Sequence, residues 1–258
     1  TLALGASIGP MARRVIDLAL MLKILSGVPA TATSENDFVE RSRSQLRDVG
    51  VAYYSDDDVA PATAETVKAV ELAAQALAEA GLEVRSERAP GISEGSRLWV
   101  ELFSRAASEQ LREFYRGRED EAGPRVASVL RPRQEDPTLE KRIEIAERTA
   151  RAVVEREHLR EQLLGWMKTT PLILAPVGAV PAFAHGADRL RVNQESISTF
   201  RAFSYSQTFN VFGLPAISVP VWRSTAGLPI GVQIVGRPFE EETVLAAAAI
   251  IEQAVGWR

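Results

Sequence analysis

The sequence predicts an α/β fold, a mixed β-sheet flanked by helices. Three observations carry that expectation. A strand–helix–strand pattern runs from residue 49 to 88, two long helical stretches lie between 94 and 168, and a pair of short Val/Ile-rich runs follows near the C-terminal end. Strands alternating with helices at these lengths build layered α/β sheets.

The elements follow in order. Pro10 opens a helix with Met11, Val15, Leu18, Leu22 and Leu25 on one face, and Gly27 stops it. The polar stretch 29–45 reads as a surface loop. Val49 to Tyr54 is a strand, Asp56-Asp57-Asp58 a turn, and Pro61 starts a helix with Val67, Val70, Ala74 and Leu77 along one side. Gly81 ends that helix, and Leu82 to Arg88 is the next strand. A strand–helix–strand unit of this length makes the two strands parallel.

Residues 94–118 and about 137–168 read as long helices, joined by 119–136 with Gly123, Pro124, Pro132 and Pro137. Asp136-Pro137 is a helix start signal. In the second helix Leu139, Ile143, Ala146, Ala150 and Val153 form a narrow apolar stripe among charges. Such a stripe suits a helical hairpin lying over the sheet, which is the expectation, or a dimer contact. Pro171 to Pro176 (PLILAP) is a buried strand by composition. A loop rich in Gly, Ala and Pro follows over 177–191 and contains His185, and Ser196 to Val211 reads as helical.

Phe209 to Gly236 reads FNVFGLPAISVPVWRSTAGLPIGVQIVG. Both apolar runs in it follow Gly-Leu-Pro, and the short polar connector pairs them antiparallel. Pro215 and Pro229 sit at run starts, where a strand tolerates a residue without an N–H. Pro220 lies inside the first run and marks an edge, a bulge or an early end. In the second run Val232 and Ile234 point one way, Gln233 and Val235 the other. Glu240, Glu241 and Glu242 start a last helix that runs to about Val255, their charges near its positive end. The whole, 1–258, reads as a single domain with a helical cover, about 94–168, inserted between sheet elements.

Composition excludes several classes. Of 258 residues, 46% are hydrophobic and 25% charged, with a formal net charge of −4. That is ordinary for a globular protein and offers no electrostatic case for nucleic acid. With no cysteine there is no disulfide, thiol nucleophile or thiolate metal site. No apolar run approaches the roughly 20 residues of a membrane span, and no secretory signal is recognisable. A cytoplasmic protein is expected. The chain begins Thr1-Leu2-Ala3, already inside a patterned segment, and reads as part of a longer polypeptide.

Chemistry-bearing motifs are sparse. The two histidines, His158 and His185, have no carboxylate cluster at metal-ligand spacing. The aspartates 56–58 read as a solvated turn. Phosphate loops and S-x-x-K are missing. Of the four lysines, Lys23, Lys68, Lys141 and Lys168, the last lies just before a buried strand, where a solvated position is expected. No metal or cofactor is expected, and no constellation runs covalent catalysis by itself.

The run FNVFGLPAISVPV…GLPIGVQIVGRPFEEETVLAAAAIIE resembles the C-terminal hallmark of the amidase signature family. SIGPMARRVIDLALMLKILSG is similar to the segment that follows that family's catalytic core, and PLILAPVGAVPAF to its late strand and loop. The three matches keep the family's order and spread over nearly the whole chain. The resemblance implies that the mixed sheet is part of the amidase signature fold. It also implies amide hydrolysis or transfer by a serine nucleophile, a second serine in a cis peptide and a lysine base, with an oxyanion hole of backbone N–H groups.

Those parts belong to a Gly-Ser-rich signature upstream of the GPMAR-like stretch. No GGSSGGS-like run and no Ser-Ser dipeptide occurs here, so no catalytic residue is carried over and the isolated chain is expected to be inactive. Its expected partners are a small-molecule amide, the missing N-terminal half of the same polypeptide and, by way of the charged helix, a second copy. Helix 94–118, loop 177–191 and helix 196–211 are the segments expected to reach the substrate, with Trp99, Phe103, Phe183, Phe203, Tyr205 and Gln207 as candidates. Core packing competes with substrate contact for each aromatic, and Gln207 and Asn210 suit hydrogen bonds near the Gly-Leu-Pro corner. The alternatives are the amide-transferring subunit of a tRNA-dependent amidotransferase and a non-catalytic remnant serving as an assembly module.

Overall fold

The computed structural model describes residues 9–28, 34–131 and 138–257. Helices α1 (Val15–Leu25) and α2 (Glu35–Gln45) precede strand β1 (Gly50–Tyr53), helix α3 (Ala64–Glu79) and strand β2 (Glu83–Ser86). A helical region follows: α4 (Gly95–Trp99), a π-helical turn (Val100–Ser104), α5 (Arg105–Phe114), a 3-10 turn (Glu119–Glu121), α6 (Pro124–Leu130) and α7 (Leu139–Trp166). Then come β3 (Leu172–Pro176), β4 (Arg189–Val192), β5 (Glu195–Ser198), α8 (Thr199–Ala202), α9 (Ser204–Phe212), β6 (Ala216–Arg223), β7 (Pro229–Val235) and α10 (Glu241–Val255).

The expected mixed sheet forms, with strand order β2-β1-β3-β7-β6. β1 is parallel to both β2 and β3, whereas β7 is antiparallel to β3 and β6. Pro220 sits in β6, an edge strand of the described sheet, and the β6–β7 register slips between Pro220 and Trp222. A residue without an N–H is tolerated in such a place because no ladder on both sides needs it.

Alternation splits the sheet into two faces. On one, Val51, Leu172, Leu174, Val219, Val221, Ile230, Val232 and Ile234 meet the apolar sides of α3 and α10. Both helices are alanine-rich there, with Ala69, Ala73, Ala74 and Ala246 to Ala249 buried, so their axes lie close to the strands. On the other, Ile173, Ala175 and Val235 meet α4, the C-terminal half of α7 and α9. Complete burial of a Leu or Ile at this interface contributes about 1.5–3 kcal/mol each.

Several local expectations give way. Residues 35–45 of the expected loop are helix α2; 29–33 lie outside the described residues. Polarity hides this helix, because Val39 and Ser42 are its buried residues and Ser34 caps it by accepting from Asp37 N at 3.1 Å. The first helix starts at Val15 rather than Pro10, and Met11 and Leu25 are exposed. A carboxylate of α10 explains that start: Glu252 accepts from Val15 N at 3.1 Å. The third helix starts three residues after Pro61, where Thr63 caps it by accepting from Thr66 N at 3.3 Å.

The expected helix 94–118 is broken by its π turn and ends at Phe114, and the expected connector 119–136 contains α6. The expected helix 196–211 begins as strand β5, which pairs with β4 across Asn193-Gln194. Asn193 takes φ 53°, a left-handed conformation that asparagine adopts more readily than most residues.

Candidate functional site

The candidate site lies at the carboxyl ends of β1 and β3. There β1 leaves toward α3 on one face of the sheet and β3 leaves toward α8 and α9 on the other. Such a divergence opens a crevice that α/β folds use for ligands. The loops are tied together by backbone: Thr63 N donates to Ala179 O at 2.8 Å, and Ala179 N to Ala202 O at 2.7 Å.

The aspartate run after β1 is solvated at Asp56 and Asp58, as expected, but not at Asp57. Asp57 is fully buried. Its Oδ1 accepts from Val59 N at 2.9 Å and Ala60 N at 2.8 Å, and its Oδ2 accepts from Ser204 Oγ at 2.5 Å. Its neighbour Asp58 faces outward to Arg88, whose guanidinium holds that carboxyl below the usual carboxylate range. One aspartate therefore clips the β1 loop to the start of α9, and the next is a surface charge. A serine hydroxyl donating to a carboxyl could be a nucleophile and base, but Ser204 is fully buried and the second Asp57 oxygen is occupied by the loop. The pair is a clip.

Tyr205 reinforces the clip. Its ring is buried and stacks on Tyr54 with centroids 6.4 Å apart, and its hydroxyl lies 2.6 Å from Ala60 O and 3.0 Å from Ser55 O. Burial, with Asp57 and Asp56 nearby, pushes this phenol well above its ordinary range. Tyr54 is raised as well, by burial first and then by Asp57 and Tyr205, and its buried hydroxyl has no hydrogen-bond partner among the described residues.

The other candidates fall into two aromatic groups. Trp99 is half-buried and meets Phe103 edge-on at 6.1 Å and Phe200 at 5.4 Å. Phe103 is buried in the π turn. Phe183 and Phe203 lie 6.2 Å apart at a 56° tilt. Phe203 marks the kink between α8 and α9 and is 40% exposed. Its ring rests on Gly178: a Cβ built there would come within 3.2 Å of the ring and 3.1 Å of Ala202 O. Gln207 is buried, donating to Phe200 O at 3.0 Å and accepting from Ser96 Oγ at 2.7 Å. It thus secures α8 and α4, not the Gly-Leu-Pro corner.

Sequence reasoning missed Phe200, Asp57, Ser204 and Ser96. It also missed two arginines of α7: Arg156 Nε donates to Val211 O at 2.6 Å and Arg160 Nε to Phe212 O at 2.9 Å, gripping the carboxyl end of α9. At the edge of the described sheet, β6 leaves Ala216, Ser218 and Trp222 exposed. His158, His185 and Lys168 are exposed. Among the described residues no group of three or more His, Cys, Asp or Glu is arranged to hold a metal, and no helix is long and apolar enough to cross a membrane.

Comparison with known proteins places this geometry. The family profile described as Amidase matches residues 3–245. A glutamyl-tRNA(Gln) amidotransferase subunit of Bartonella bacilliformis is 42% identical over 84 residues, 33% of this chain and 17% of that protein. The protein of the same description from Geobacter metallireducens is 41% identical over 105 residues, 40% of this chain and 20% of that one. Among solved structures, an amidase superposes with a TM-score of 0.75 at 21% identity, covering 96% of this chain and 52% of that chain. A bacterial aryl acylamidase of the amidase signature family gives 0.72 at 19% identity, over 96% and 53%. The corresponding glutamyl-tRNA(Gln) amidotransferase subunit of Thermotoga maritima gives 0.68 at 22% identity, over 96% and 52%. The chain spans about half the length of these solved relatives, and at such identities the likeness is one of fold.

Proposed function

Because this chain belongs to the amidase family, we propose that it is the later part of an amidase domain that hydrolyses C–N amide bonds in the cytoplasm, without metal or cofactor. In this reading residues 1–258 belong to one domain. The serine, the cis-peptide serine and the lysine come from elsewhere in the full-length polypeptide, and this chain alone is inactive. Its contribution is the sheet and one wall of the amide pocket. The bare outer side of β6 is where the remaining part packs.

The observation that carries the reading is the half-exposed ring of Phe203, seated on Gly178 at the carboxyl end of β3 with Phe183 beside it. An apolar surface beside otherwise satisfied polar groups favours the flat or aliphatic part of a small amide. Trp99 and Phe200 extend the same wall along α4 and α8. Phe103, Tyr205 and Gln207 hold it from behind.

The test is kinetic, in the full-length polypeptide. Phe203→Ala should raise KM for an anilide about tenfold, the scale of one lost apolar contact, while kcat/KM for a minimal aliphatic amide changes less than about twofold. Equal effects on both substrates would remove Phe203 from the pocket, and no amide hydrolysis by the full-length protein would remove the activity. The identity to amidotransferase subunits favours a second reading, in which the amide nitrogen passes to a tRNA-bound acceptor. That reading requires activity to depend on partner subunits and on the acylated tRNA.

A further inference from the structure

α8 (Thr199–Ala202) is a single turn, too short to hold its own position. Yet it sets two rings of the aromatic wall, Phe200 within it and Phe203 just after it, 43% and 40% exposed. Three residues apart, they share a side of the turn. The place of the turn must come from bonds to its surroundings. Thr199 N donates to Asp188 O at 3.0 Å, and Ala179 N to Ala202 O at 2.7 Å. Gln207 Nε2 donates to Phe200 O at 3.0 Å. These ties all use the backbone of the turn. Arg201 N donates to Ser198 Oγ at 3.1 Å, which caps the turn itself.

The side chain of Arg201 adds a tie of another kind. Its Nε donates to Val59 O at 2.6 Å, in the loop after β1, and its Nη1 lies 3.2 Å from Glu195 Oε2 on β5. A charged donor makes such a bond roughly twice as strong as a neutral one. Val59 is itself fixed, because its N–H donates to the buried Asp57 carboxylate at 2.9 Å, and the other oxygen of that carboxylate accepts from Ser204. The circuit Ser204–Asp57–Val59–Arg201 therefore closes across Ala202 and Phe203. The pair with Glu195 is half-exposed on one side and exposed on the other, and contributes little.

We propose that Arg201 is a positioning residue of the amide pocket: by holding the turn against the β1 loop it fixes the tilt of Phe203 and Phe200, and with it the preference for a flat group over a small aliphatic one. The inference rests on the reading of Phe203 as pocket wall. Released from Val59, the turn is left with its backbone ties and can tilt about them. A tilt moves both rings together, Phe203 against Phe183 and Phe200 against Trp99, so the flat part of a substrate feels the loss first.

The test is a double-mutant cycle in the full-length polypeptide. Arg201→Met keeps the aliphatic stem and removes the donors. It should lower the preference for an anilide over a minimal aliphatic amide about fivefold, through KM for the anilide, with kcat moving less than about twofold. Beside Phe203→Ala the same change should lower that preference less than about twofold, because the ring it acts through is gone. Glu195→Gln, which leaves the Val59 bond in place, should also stay within about twofold. An effect of Arg201→Met that is equal on the two substrates would overturn the inference, by reducing Arg201 to a stabilising contact. So would an effect undiminished beside Phe203→Ala, which would make the guanidinium a substrate contact in its own right. If circular dichroism shows that Arg201→Met does not fold, Arg201→Lys takes its place in the same cycle, with the loss in preference expected at about twofold. A preference moved by Phe203→Ala but not by the Arg201 change sinks this inference alone. A preference unmoved by Phe203→Ala sinks the pocket reading, and this inference with it.

Discussion

The two faces of the sheet are built on opposite principles. The face under α3 and α10 is a dry layer of small and branched side chains in which Ala69, Ala73 and Ala246 to Ala249 let helices lie close on the strands. The face under α4, α7 and α9 is also buried, yet Asp57, Ser96, Arg156, Ser204, Gln207, Thr208 and Gln233 are folded into or beside it, and aromatic rings break the surface at its edge. Close packing suffices to hold a layer whose sole duty is to be rigid. A layer that also shapes a pocket must fix loops at set positions, and directional hydrogen bonds do that where apolar contact cannot.

That contrast can be broken most forcefully at Asp57. Asp57→Ala leaves two backbone N–H groups and the Ser204 hydroxyl without their acceptor, and we expect a loss of about 4 kcal/mol, read by denaturant unfolding of the polypeptide that contains this chain. A loss no larger than that of an ordinary surface change would mean the clip is dispensable. Next comes Gly95, where α4 crosses α9 so closely that a Cβ would lie 2.7 Å from Thr208 Cα. Gly95→Ala should cost about 2–3 kcal/mol through overpacking, whereas an Ala tolerated there would show that the two helices can slide apart.

The smallest effect sharpens the comparison within the polar face. Tyr205→Phe removes a hydroxyl that two carbonyls use and should destabilise by about 1 kcal/mol. Tyr54→Phe removes a buried hydroxyl without a partner among the described residues and should be neutral or stabilising. A loss at Tyr205 and none at Tyr54 is the expected result, and equal losses would mean that Tyr54 has a partner in solution. Both phenols are raised in the folded state, so their contribution is intact below the ordinary tyrosine value of about 10. It is lost as pH rises from there toward the folded values, since the unfolded chain then ionises first. Alkaline melting should therefore be less steep in the Tyr54→Phe variant.

How much of this was legible beforehand differs by element. Strong periodicity and Gly/Pro punctuation marked β1, α3, β3, the β6–β7 pair and α10, because each buries a whole face or two faces; β2, of which Val84 alone is half-buried, was marked by following α3 and Gly81. α2 was hidden because Val39 and Ser42 are its buried residues, with Phe38 half-buried beside them, and β5 by its place beside the helical residues 199–212. The alternation of Arg189-Leu190-Arg191-Val192 was a signal that could have marked β4. At the site, the apolar candidates were visible as aromatic residues in the right segments. Asp57 was not, since nothing local distinguishes it from Asp56 and Asp58; its role is fixed by Ser204, 147 positions later. Likewise Arg156 and Arg160 look like surface charges until the end of α9 arrives against them.

The grip of those two arginines makes α7 a lever. At 28 residues it is a bar of about 40 Å, with one end exposed among the described residues and the other fastened to the backbone oxygens that terminate the helix carrying Tyr205 and Gln207. Anything that seizes the exposed end and prefers one tilt of the bar must bias the aromatic wall by the same free energy, and a molecule lodged against that wall must repel or invite the visitor in equal measure.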